Sequence, residues 1–333
     1  MALNYSNLTS YVDQLSQPII SKAILEANTA KYIDVIQGVK YAEQINILDI
    51  NPFIVMPNSV GTNGFTDSGT TILSAITAVA CPLKIQNSFI LEGANSLESF
   101  WYGQLMKAGS YQENAPQFEA AFMDLLAKYT SQATDYVTWF GGYVPSGANA
   151  HSGDTAGNTG YLASCQGILY QIFNTAVSAQ TVTVSYTGSP TLANIENIIE
   201  NIIASIPDNM LGLENISIWC KPSYVDVYKR MLIANNNFHY FVQGSDTTSN
   251  LNIKIPGRSN ITLRGTIGLA GPSGNGYQGF VCSNDNNLAL ITDLQNDFEK
   301  TTIWFSNDYD QLRATTKFKA GGIAKLAQQV IKY

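Results

Sequence analysis

The sequence predicts an α+β protein of two domains, and three observations carry that prediction. Residues 115–140 repeat apolar side chains at three- and four-residue steps, the period of an amphipathic helix. Several shorter segments, at 32–50, 70–91 and 312–320, are rich in β-branched residues or alternate apolar with polar ones, the period of a strand. The 333 residues are enough for about two domains at roughly 100–200 residues each.

The elements follow in order. Residues 1–30 read as an N-terminal arm with one helix, because Leu15, Ile19, Ile20, Ala23, Ile24 and Ala27 recur near helical spacing, with Pro18 interrupting the early part. Residues 31–92 read as a long hairpin or ribbon. Its strands are Tyr32 to Tyr41, Ile45 to Ile50, Thr70 to Val79 and Leu83 to Leu91. Its tip, near 58–69, is full of Gly, Asn, Ser and Thr. Apolar groups on more than one side of such a ribbon would forfeit a few kcal/mol if left wet, at ~25 cal/mol per Å². The ribbon is therefore expected to lie on its own domain or on a neighbouring subunit, and composition does not choose between them.

A helix is expected at 94–108. The clearest helix spans 115–140, with Asn114 able to cap it, Pro116 tolerated in the first turn and Gly141-Gly142 ending it. Phe118, Phe122, Leu125, Tyr129, Ala133, Tyr136 and Phe140 form its expected buried stripe, and that stripe is expected to pack on the closing β segment 312–320. A second compact region spans 161–294. Within it, 162–177 is helix or mixed and Gln180 to Tyr186 alternates as a strand. Pro190 opens an isoleucine-rich helix that Pro207 ends, Ile216 to Cys220 is a buried strand, and Lys221-Pro222 leads into another helix. The domain limits are 1–30 for the arm, 31–92 for the hairpin, 93–160 with 295–333 for a peripheral domain, and 161–294 for a central one.

Charge is sparse. Charged residues make up 13 % of the chain, against about 25 % in ordinary soluble domains. Since charged groups are depleted at interface cores, this hints at a protein whose surface is covered by partners. The formal net charge is −7, which disfavours a tight grip on a phosphate backbone. The four cysteines, Cys81, Cys165, Cys220 and Cys282, lie far apart in apolar surroundings and read as buried free thiols. The first basic residue is Lys22 with no apolar run before it, so no signal peptide is expected. The most apolar stretch, Thr71 to Leu83, is shorter than the ~20 residues of a membrane span. A protein made in a reducing cytoplasm, away from membranes, is the expectation.

Catalytic chemistry is missing from the pattern. The two histidines are His151, in a Gly/Ser/Asn-rich loop, and His239, flanked by aromatics. Neither has the acidic partners of a metal site, and His151-Ser152-Gly153-Asp154 are sequence neighbours, as members of a spatial triad rarely are. No Gly-Lys dipeptide occurs, which excludes a P-loop. Gly271 to Gly276 reads as a turn, and Glu196 with Glu200 as a solvated helix face. No catalytic, cofactor or metal residues are assigned.

The order of elements is recognisable. An arm, an extended hairpin with Gly61, Gly64 and Gly69 at its tip, the helix 115–140, the central block Asn194 to Pro207 followed by Ile216 to Tyr224, and the closing segment Phe305 to Val330 resemble the major capsid proteins of tailed phages. That is the α+β Hong Kong 97-type fold. The resemblance covers nearly the whole chain through element order more than through particular residues. It implies a virion capsid protein, made in a bacterial host cytoplasm, that self-assembles as pentamers and hexamers into an icosahedral shell around double-stranded DNA, which it holds without sequence-specific contacts. Scaffold, portal and decoration proteins are further partners of such a shell. Some relatives crosslink hairpin lysines to asparagines; the tip 58–69 has no lysine, so crosslinking is not carried over. An encapsulin-type compartment shell is the alternative within the fold, and a soluble hydrolase with an unrecognised site is the alternative outside it.

A final pattern concerns charge. Arg313, Lys317 and Lys319 fall on one face of the closing strand, opposite its apolar row. With Gly61, Gly64 and Gly69 they are the expected assembly contacts. The basic row is expected to face an acidic strip on an adjacent subunit, and charge reversal at Lys317 and Lys319 is expected to block assembly while the monomer stays folded.

Overall fold

The computed structural model describes residues 28–51, 70–90, 118–143, 165–174, 181–185, 188–235, 251–271, 276–293, 301–309 and 311–333. The arm before residue 28, the tip glycines Gly61, Gly64 and Gly69, the helix expected at 94–108, His151 and His239 lie outside the described residues.

The first sheet has five strands. Its path runs β1 (Asp34–Gln37), β10 (Leu288–Thr292), β12 (Gln311–Ala324) and β11 (Thr301–Ser306), and β4 (Cys81–Ile90) also pairs with β12. A separate pair, β2 (Ala42–Asn51) with β3 (Thr70–Val79), forms an antiparallel ribbon ten residues long. The second sheet has six strands, in the order β5 (Val182–Thr183), β13 (Val330–Lys332), β9 (Val281–Asn284), β6 (Ile216–Cys220), β8 (Arg258–Gly265) and β7 (Asn252–Ile255). Five α-helices are described: α1 (Phe118–Phe140), α2 (Ile168–Asn174), α3 (Ile195–Ala204), α4 (Asp208–Leu211) and α5 (Pro222–Ala234).

The ribbon is narrower than the sequence predicts. Its outer two segments belong elsewhere: β1 pairs in parallel with β10, and β4 runs antiparallel to β12 from Ile90 opposite Gln311 to Cys81 opposite Ala320. The alternation in β4 explains why. Cys81 and Leu83 are buried while Pro82 and Lys84 are exposed, the pattern of a strand with one face on a core. The sheets also cross the expected domain limits. Strand β10, expected in the central domain, lies in the first sheet, and β13, expected in the peripheral one, lies in the second.

The second sheet is covered by α3 and α5. Ile195, Ile198, Ile199, Ile202 and Ile203 of α3 share a core with Ile216, Ile218 and Cys220 of β6 and with Tyr224, Val225 and Tyr228 of α5. Helix α3 starts later than Pro190 suggests, after a turn in which Leu192 stays exposed. On the opposite side of β6, Trp219 joins the core of the first sheet, with its ring 5.5 Å from that of Trp139. Alternate residues of one strand thus serve two cores.

Helix α1 packs on β12 as expected, but its buried face coincides with the expected stripe only in part, at Phe140 and Ala133. Leu125 is 42 % exposed and Tyr129 51 %, whereas Leu126, Thr130, Thr134, Val137, Thr138, Trp139 and Phe140 are buried. The threonines can be buried because each hydroxyl donates to the carbonyl four residues back: Thr130 to Leu126 at 2.9 Å, Thr134 to Thr130 at 2.9 Å and Thr138 to Thr134 at 2.8 Å. A satisfied hydroxyl removes the main cost of burial and leaves a methyl group to pack. Gly322 of β12 lets this face approach, since a Cβ there would collide with the Thr138 carbonyl. All four cysteines are buried and none forms a disulfide, as the sequence predicts.

Candidate assembly surfaces

The buried titratable groups tie elements together. Arg264 donates to Ser217 Oγ at 2.7 Å and to Asp285 Oδ2 at 3.1 Å, and its guanidinium lies 4.0 Å from the centre of the Tyr32 ring. Asn252 in turn donates to the Tyr32 hydroxyl at 2.7 Å. Burial pushes the Asp285 carboxyl above the ordinary carboxylate range, against the pull of Ser217 and Arg264. This node joins β6, β8 and the turn after β9 to the segment that precedes β1.

A second node holds the chain where it leaves the N-terminal arm. The Asp135 carboxylate of α1 accepts from the backbone N–H of Asn28 and of Thr29, both at 3.0 Å. Trp139 Nε1 donates to Thr29 Oγ1 at 3.0 Å, and that hydroxyl lies 2.8 Å from Thr266 Oγ1. Burial raises the Asp135 carboxyl above its ordinary 3.8, opposed by the bonds from Thr29 and Asn28 and by the charge of Lys31. Between 3.8 and the raised native value the folded chain holds a proton that the unfolded chain does not, so this group contributes more stability as pH falls through that window. The stability difference between wild type and Asp135→Asn should therefore grow in favour of wild type as the pH is lowered toward 3.8. Denaturant titrations at a series of pH values measure it, and a difference that is flat with pH refutes the assignment.

The outer face of β4 and β12 carries the predicted basic residues, and the structure separates them. Arg313 lies over the exposed Tyr309, 4.3 Å from its ring centre. Lys317 is exposed. Lys319 is not part of a solvent-facing row, which corrects the sequence expectation: it is 9 % exposed, bonded to Asp293 Oδ2 and to the Lys40 carbonyl, each at 2.7 Å. Its charge is spent inside the subunit. The register brings in a residue the sequence did not single out, because Lys84 of β4 stands directly opposite Lys317. Lys40, Tyr41, Pro82, Lys84, Lys317 and Phe318 line an open cleft of about 430 Å³. Beyond the Leu83–Phe318 pair, a groove of about 500 Å³ runs between the two strands and Tyr129, Ala133 and Tyr136 of α1.

Glu196 and Glu200 sit on the exposed face of α3, with Arg258 3.8 Å from Glu200, a solvated pair as expected. Among the described residues, no group of three His, Cys, Asp or Glu is placed to hold a metal ion. None of the described helices is long and apolar enough to cross a membrane.

No protein-family model matches the sequence, and no curated protein matches it. Solved structures match its shape over most of its length. A chain of the satellite phage P4 procapsid, a structure that includes the size determination (Sid) protein, superposes with a TM-score of 0.55 at 9 % identity, covering 95 % of this chain and 90 % of that one. The capsid of the empty GTA particle gives 0.50 at 9 % identity, with 92 % and 88 % covered. A chain of Mycobacterium phage Che8 gives 0.50 at 9 % identity, with 92 % and 90 % covered. At this identity the likeness is one of backbone arrangement, over more than nine-tenths of this chain. The chain therefore has the α+β, Hong Kong 97-type fold of tailed-phage major capsid proteins.

Proposed function

We propose that the protein is the structural subunit of an icosahedral shell, a major capsid protein that assembles with copies of itself in a virion and has no enzymatic activity. The fold match over at least nine-tenths of this chain to subunits of phage and GTA particles supports this reading most directly. The ribbon is compatible with it. β2 and β3 pair in neither large sheet; the base of the ribbon, at Ala78, packs with Ala289, Ile291 and Ile323 of the subunit's own first sheet, and a two-stranded ribbon beyond such a base is marginal in water unless another surface covers it. The partners of such a shell are pentamers and hexamers of the chain, scaffold, portal and decoration proteins, and packaged double-stranded DNA held without sequence-specific contacts. The domain limits 1–30, 31–92, 93–160 with 295–333, and 161–294 belong to the same proposal, with β10 and β13 exchanged between the two sheets as described.

Negative-stain micrographs of the purified protein test the reading. Closed shells or capsomer rings are expected; dispersed particles of 36.2 kDa at all concentrations and salt conditions would refute it. A second test removes residues 58–69, with the tip glycines Gly61, Gly64 and Gly69, and closes the ribbon with a two-residue turn. The subunit should keep its thermal transition while shells lose stability or fail to close. Shells of unchanged stability would remove the tip from the assembly contacts.

A further inference from the structure

We infer that the cleft formed by Lys40, Lys84 and Lys317 is an anion-binding seat for carboxylate side chains of a second copy of this chain. The inference rests on the shell reading above. Lys84 and Lys317 are opposed residues in the β4–β12 register, both exposed. Like charges placed directly across an antiparallel pair destabilise the sheet that carries them. Lys40, also exposed, lines the same cleft. None of the three forms an ion pair among the described residues. The acids nearby are otherwise placed: Asp293 is bonded to Lys319 inside the subunit, Asp34 to Lys325, and the exposed Glu43, at the base of the ribbon, makes no ion pair with these lysines. Uncompensated among the described residues, a cluster of this kind is open to a counter-charge from a neighbouring subunit.

A second copy supplies it. The chain carries 25 acids against 18 bases, so the surface a neighbour presents is on balance acidic. Asp208, Glu214 and Asp308 are exposed and make no ion pair among the described residues. The walls of the cleft suit a side chain arriving with its carboxylate: Pro82 and Phe318 line it with the lysines, and Tyr41, 66 % exposed, stands beside them. A duplex backbone is the poorer fit. Strong DNA binding draws on about 6–10 phosphate contacts, and three lysines on an acidic chain fall short of that.

The test is the double variant Lys84→Gln, Lys317→Gln, which removes both charges and keeps a polar side chain at each position. The subunit's melting temperature should stay level or rise, because a like-charge pair is relieved. Shell assembly, followed by light scattering without nucleic acid, should slow by about tenfold at low salt, since charge pairs across an interface act mainly on association rate. The wild type's slowing with added salt should vanish in the variant. Assembly of the variant at the wild-type rate overturns the inference while leaving the shell reading intact. A melting temperature lowered by several degrees also overturns it, because the lysines would then serve the subunit itself. A 20-base-pair duplex is added in a separate arm. Lysine-dependent binding of that duplex with unchanged assembly would reassign the cleft to DNA phosphates. Wild-type protein that never advances beyond monomer overturns both this inference and the shell reading.

Discussion

Replacing Lys319 by glutamate should unfold or severely weaken the subunit, while the same change at Lys317 should leave its stability within about 0.5 kcal/mol. The two residues lie on the same face of the same strand, and only their surroundings differ. Lys319 lies against an Asp293 side chain that is 2 % exposed, 2.7 Å from its carboxylate. Removing one member of a buried pair strands the other charge at a cost of about 3–5 kcal/mol, and reversal places two carboxylates together in the same site. Lys319→Ala should cost about 3–5 kcal/mol, and Lys319→Glu at least as much. Urea denaturation of the dispersed subunit measures both. If Lys317→Glu and Lys319→Glu gave equal midpoints, the internal role of Lys319 would be refuted. The comparison also governs any assembly experiment on this face: a block in assembly by Lys319→Glu reports folding, whereas one by Lys317 or Lys84 reports contact.

Trp139→Ala should cost about 3–5 kcal/mol, the range for removing a large aromatic side chain from a core. Trp139 is fully buried, meets the Trp219 ring of the second sheet, donates to Thr29, and lies so close to Gly268 that a Cβ there would strike the indole. It is the point where α1, the two sheets and the end of the arm converge. Leu125→Ala on the same helix should cost less than about 1 kcal/mol, because the side chain is 42 % exposed and gains little by burial in the isolated subunit. Thermal or urea unfolding of both variants decides which face of α1 is the inner one. A Leu125→Ala loss as large as that of Trp139→Ala would restore the stripe read from periodicity.

Those two contrasts mark where sequence reasoning holds and where it stops. The existence of α1 and α3, the buried strand Ile216 to Cys220, the buried cysteines outside any disulfide and the general order of elements were legible, because each depends on local spacing and composition. The α1 face was not. A count of apolar residues favours Leu125, Tyr129 and Tyr136, and gives no credit to Thr130, Thr134 and Thr138, whose hydroxyls find partners within the helix itself. The exposed Tyr129 and the half-buried Tyr136 of α1 instead line a groove beside β4. The ribbon was half legible for a similar reason. Alternation identifies strands, but whether β1 joins β2 or β10 is settled by a partner far away in the chain.

The sequence by itself determined the α+β class, the helices α1, α3 and α5 and most of the described strands, all of which follow from periodicity. Only the tertiary structure decided which cations are free. A strand's period of two places Arg313, Lys317 and Lys319 on one face whatever the fold, but the charge each presents depends on what stands opposite. Asp293 and the Lys40 carbonyl consume Lys319, Tyr309 stacks with Arg313, and the β4 register sets Lys84 against Lys317. Electrostatic pairing falls off over a few ångströms and ignores sequence distance, so no local pattern encodes it.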